Sequence, residues 1–87
     1  MKIKLLSSEA ACGTSTTNGS NFGLSSAVRV HNSGASARVV TVETVANVTI
    51  GTFTLGVGSS EVVNKNPKDE VYAAHAEVLG VGVAQIG

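Results

Sequence analysis

From Ala27 to Ile86 nearly every apolar residue of this chain is Val or Ala, and these residues alternate with polar ones in short runs. A period of two is the pattern of a half-buried strand. Ile3 and Leu5 alternate with Lys2 and Lys4 and predict a first strand over 2–6. Val28 and Val30 alternate with Arg29 and His31. Residues 37–45 set Val40 and Val42 on one face and Val39, Thr41, Glu43 and Val45 on the other. Further strands are predicted over 48–55, 60–65, 70–73 and 76–86. Turn chemistry separates them: Asn32–Ser36, a tight connection at Ala46–Asn47, Gly56–Ser59, and Asn64–Asp69 around Pro67. No segment carries a capped apolar period of 3.6. The expectation is an all-β domain spanning residues 1–87, a small antiparallel β-sandwich or barrel of about six or seven short strands.

Three stretches depart from plain alternation. In 48–55, Val48 and Ile50 share one parity and Phe53 and Leu55 the other, with Gly51 at the switch. One extra residue there would bring all four onto a single buried face, so a β-bulge is expected at Gly51. In 76–86, Gly80, Gly82 and Ala84 lie on one parity between Val78 and Ile86. Such a strip lets another backbone approach closely, and it is expected to be covered by the opposite sheet or by a second protein. Residues 13–26 form a Gly/Ser/Thr/Asn tract that buries too little to offset its own ordering entropy. It is expected to be a flexible polar loop or arm, with Phe22 and Leu24 as its anchors. Phe22, Leu24, Gly80, Gly82 and Ala84 are thereby the candidate partner contacts.

Composition narrows the picture. One domain of this size buries only about 60% of its unfolded surface. A single Cys forms no internal disulfide, and the two His have no Cys or carboxylate at ligand spacing. Burial against other subunits is the remaining aid, which favours a homo-oligomer or docking on a larger partner. Six basic and six acidic residues cancel, so the basic surplus of a nucleic-acid binder is missing. No apolar run approaches the ~20 residues of a membrane helix. Lys2 and Lys4 before Ala10-Ala11-Cys12 resemble the start of a lipoprotein signal. The apolar stretch between them is too short, and a strand is the better reading.

Candidate chemistry is sparse. Cys12 with His31 or His75 would make a nucleophile–base pair, but no local signature accompanies Cys12. His31 has the parity of Arg29 and is expected to face solvent or a partner. Lys68-Asp69-Glu70 reads as a solvated turn tip, and Gly56-Val57-Gly58 precedes no helix. Asn18-Gly-Ser20 and Asn47-Val-Thr49 match the glycosylation pattern by chance. The expectation is a non-enzymatic protein with no catalytic residues, no metal and no cofactor.

Three stretches carry a resemblance: Ala27-Val-Arg-Val-His-Asn32, Val48-Thr-Ile-Gly-Thr-Phe-Thr-Leu55, and Glu61-Val-Val-Asn-Lys-Asn-Pro-Lys-Asp-Glu-Val-Tyr-Ala73. With the Ala/Val-rich final strand, they resemble small β-rich virion structural proteins of tailed bacteriophages, of the marine and cyanobacterial phage type. The resemblance implies a capsid cement or decoration protein, made in the host cytoplasm and placed on the capsid surface. Its partners would be the major capsid protein or other virion subunits. A tail, neck or baseplate component is the alternative within that class. An adhesin or carbohydrate-binding module is the alternative outside it, and Tyr72 alone would serve it as a stacking platform.

Overall fold

The computed structural model describes residues 2–86, with side chains as far as Gln85. Eight strands are present: β1 (Lys2–Leu5), β2 (Ala10–Ala11), β3 (Ala27–Asn32), β4 (Arg38–Glu43), β5 (Thr49–Leu55), β6 (Ser60–Asn64), β7 (Glu70–Ala73) and β8 (Val78–Ile86). They form two antiparallel sheets in a sandwich-like all-β fold. The larger has the order β1-β8-β3-β6, with β2 also on β8; the smaller has the order β5-β4-β7. Seven strands match alternating runs in the sequence. The eighth, β2, is two alanines long and offers no period to read.

Alternation decides which side chains meet between the sheets. Val28 and Val30 on β3 and Val78 on β8 face Val40, Val71, Ala73 and Leu55 of the smaller sheet, all fully buried or nearly so. A second cluster lies on the other side of the larger sheet, where Ala27, Val81 and Val83 pack with Ile3 and Val62. Only one Leu, Leu55, is fully buried, and the core is otherwise built from small and β-branched side chains.

β4 and β5 form a hairpin, with Thr44 N bonded to the Val48 carbonyl at 2.8 Å and Asn47 at a φ of +64°. The bulge in this hairpin falls one residue before the expected place. Val42 pairs with Gly51 and Glu43 with Thr49, so Ile50 is the inserted residue. Its consequence also differs from the expectation. Val48 and Ile50 remain 60% and 57% exposed and do not join Phe53 and Leu55 on a buried face. The bulge turns the start of β5 away from the core instead of extending the core along it.

Residues 13–26 lie along the outer edge of β7. Ser20 and Val71 exchange two backbone bonds, at 2.8 and 3.1 Å, and Ala73 N donates to the Gly13 carbonyl at 2.9 Å. Further on, the Lys65 ammonium donates to the Ser25 carbonyl at 2.6 Å and ties the end of the segment to β6.

The remaining connection to explain is how the chain passes between sheets. Asn32, at the end of β3, has no exposed surface. Its Nδ2 donates to the carbonyls of Ser36 at 2.8 Å and Leu55 at 3.0 Å, and its Oδ1 accepts from Gly34 N at 2.9 Å. Its backbone bonds Ser59 and Gly58 in the turn after β5. One carboxamide thus satisfies the β3–β4 turn and the end of β5 together. Asn32→Ala should leave those buried groups without partners and cost about 2–4 kcal/mol in urea unfolding, with the slope unchanged.

Candidate functional site

The two sides of the larger sheet keep the reactive residues apart. Cys12 N bonds the Val78 carbonyl at 2.9 Å, and its thiol is buried in the inter-sheet core. Burial pushes that thiol up to about 11, away from the reactive thiolate. His31 stands on the opposite face of the same sheet, with Nδ1 2.7 Å from Ser60 Oγ. His75 is exposed in the β7–β8 connection and accepts from Glu77 N at 3.1 Å. Among the described residues no three His, Cys, Asp or Glu gather at a metal-binding distance.

The Gly80–Gly82 strip is covered by the 13–26 segment of the same chain. A Cβ at Gly80 would lie 2.6 Å from Phe22 Cζ and 3.2 Å from Cys12 Sγ, and one at Gly82 would collide with Ser25 Oγ. The missing side chains are the space that Phe22 fills. Ala84, further along, is half-buried, and the side chain of Ile86 lies outside the described residues. Of the five candidate partner contacts, Leu24 is the exposed one, at 56%.

Leu24 is held there by an uncommon backbone. Phe22, Gly23 and Leu24 have φ of +52°, +71° and +62°, three successive residues in the left-handed region. Only Gly enters that region without steric cost. Local bonds hold the turn: Phe22 N to Ser20 Oγ at 3.0 Å, Leu24 N to Asn21 Oδ1 at 3.2 Å, and Ser25 Oγ to the Phe22 carbonyl at 2.7 Å. The turn drives Phe22 inward and Leu24 outward.

The seam between the 13–26 segment and the smaller sheet contains a feature absent from the sequence reading. Glu43, which the alternation places on the face of Val39 and Thr41, has no exposed surface. Thr16 Oγ1 donates to its Oε1 at 2.6 Å. The Asn47 amide, oriented to satisfy its acceptors, donates to Glu43 Oε2 at 3.3 Å and to the Thr16 carbonyl at 2.8 Å. Glu70, paired with Glu43 across β4 and β7, supplies a second carboxyl. Desolvation, then a hydrogen bond and repulsion from Glu43, hold the Glu70 carboxyl above its ordinary value. The described ion pairs are Arg29–Glu9, Arg38–Glu77 and His75–Glu77, and none reaches Glu43. Two carboxyls without a cation share hydrogen most readily when one of them is protonated.

On the opposite side from β7, the sandwich is open. β5 and β6 are the outer strands of their sheets. Between them runs a cleft of about 410 Å³ lined by Phe53, Leu55, Gly56, Ser59, Val62 and Val63. Beside it the β4–β5 hairpin exposes Val39, Val45, Val48 and Ile50 at 45–64%. Sequence reading missed this patch because it placed Val48 and Ile50 in the core.

Compared with known protein families, with curated proteins and with solved structures, the chain finds no match in any of the three.

Leu24→Gly should relieve the left-handed strain and raise stability by about 0.5–1 kcal/mol, measured as a higher melting temperature. An unchanged or lower melting temperature would show that the exposed Leu24 side chain contributes more than its backbone costs. For Glu70, a raised folded-state value means stability that is present in acid and lost as the pH rises through that value. Relative to Glu70→Gln, the parent chain should therefore lose melting temperature as the pH climbs above the ordinary carboxyl value of 4.5. The variant lacks that loss, because the amide stays neutral and donates to Glu43 at every pH.

Proposed function

We propose that this chain is a non-enzymatic structural protein of a tailed-phage virion, acting as a cement or decoration subunit on the capsid. The observation that carries the reading is where the large apolar side chains lie. The interior is built from Val, Ala, Cys12 and Leu55 with Phe22 and Phe53 packed against them, while Leu5, Leu6, Leu24 and Ile50 are 53–62% exposed. A small domain that leaves four large aliphatic side chains exposed has contact surface to offer. The resemblance of Ala27–Asn32, Val48–Leu55 and Glu61–Ala73 to small phage virion proteins supplies the context. Repetition over a capsid lattice multiplies weak contacts, so modest surfaces of this kind suffice.

Quantitative mass spectrometry of purified particles tests the reading. A cement protein should be present at hundreds of copies per particle and co-purify with heads. Tens of copies that follow the tail fraction would move it to a tail, neck or baseplate ring. Absence from washed particles would overturn the virion assignment.

A further inference from the structure

The two sheets leave four outer boundaries, and three are guarded. β1 carries Lys2 and Lys4, charges that disfavour pairing with another strand. β7 is covered by its own chain through the Ser20–Val71 and Gly13–Tyr72 bridges. β6 carries Glu61. β5, Thr-Ile-Gly-Thr-Phe-Thr-Leu, has no charge and no Pro, and it is exposed from Thr49 to Thr52. Its bulge at Ile50 leaves 51–55 as a regular stretch with one free hydrogen-bonding side. An edge of this kind is a template for another strand.

From this, and within the reading of the chain as a contact-making subunit, we infer that β5 pairs antiparallel with β5 of a second copy, joining two three-stranded sheets into one of six strands across a two-fold axis. The sequence of the edge is self-complementary about Phe53. With the axis there, Thr52 faces the partner's Thr54, and Gly51 faces the partner's Leu55. Opposed threonines are a favourable cross-strand pair. The absence of charge removes like-charge repulsion, which would act against any charged edge paired with its own copy. Ile50, exposed at the bulge of the same strand, adds an apolar side chain to the contact.

Sedimentation equilibrium over a concentration series tests the pairing. The parent chain should dimerise with a dissociation constant on the order of 10–100 µM. A chain that stays monomeric to roughly 1 mM overturns the inference. T52K/T54K places like charges opposite each other and should weaken dimerisation at least tenfold, with an unchanged melting curve. T52E/T54E should do the same. Mixed, the two variants should form a heterodimer, because each Lys then meets a Glu in the Phe53-centred register. Dimers that persist in T52K/T54K, or variants that stay apart on mixing, overturn the pairing. If the T52K/T54K variant unfolds, the parent chain decides by amide exchange: protection of 51–55 should rise with concentration, and concentration-independent exchange overturns the inference. A monomeric chain found at high copy on particles would defeat the dimer and leave the virion role standing; a dimer absent from particles would do the reverse.

Discussion

Four of the seven connections carry the chain from one sheet to the other, and the first of them turns on a single buried carboxamide. A turn that leaves a sheet strips its backbone groups of ladder partners, and in a thin sandwich those groups sit close to the core. Asn32 meets the need from both directions, donating twice and accepting once. A carboxylate there would lack the donors, and an apolar residue would lack everything. The positions of β4 relative to β3, and of the turn after β5 relative to both, follow from that arrangement. The Arg38–Glu77 pair at 2.6 Å sits beside it and clamps the start of β4 to the connection before β8.

The second determinant is volume. Val and Ala fill less space than the Leu and Phe of an ordinary small core, and Gly80 and Gly82 leave a gap on β8. Phe22 closes that gap from a segment outside both sheets. Its position depends on a left-handed turn that no L-residue enters freely, so core packing and loop strain are coupled. The polar tract is accordingly fixed at four points: the backbone pairing with β7, the Thr16–Glu43 contact, the Phe22 ring and the Lys65 bond to the Ser25 carbonyl. Each is individually modest, and together they draw a low-complexity segment onto the sandwich.

Alternation made the strands legible, because a side-chain period of two follows directly from the pleat. The hairpin at Asn47 and the bulge near Gly51 were legible for the same reason: each interrupts the period. What the bulge accomplishes was not, since parity alone cannot say whether an apolar pair faces a core or the solvent. The burial of Glu43 was equally hidden. Its parity is shared by the exposed Val39 and the buried Thr41, and only the fold brings Thr16 and Asn47 over it. The small-residue strip was recognisable as a place of close approach, but the identity of its cover was not, because nothing local marks Phe22 as turning inward. Asn32 read as a turn former, and the Asx bond to Gly34 bears that out; its reach to Leu55 spans 23 residues and leaves no trace in sequence.

The central place of β8 has a consequence for biosynthesis. β8 pairs with β1, β2 and β3, all of which leave the ribosome well before it. Until Val78–Ile86 has been made, β3 has no neighbour on one side and β1 and β2 have none at all. The larger sheet therefore closes late, whereas the β4–β5 hairpin, the β3–β6 pair and the β4–β7 pair can all form before β8 is made. Long-range pairing of this sort folds slowly, in about milliseconds to seconds. During that interval the valines of β3 stay open to neighbouring nascent chains, so the rate of production bears directly on how much of the protein reaches its folded form.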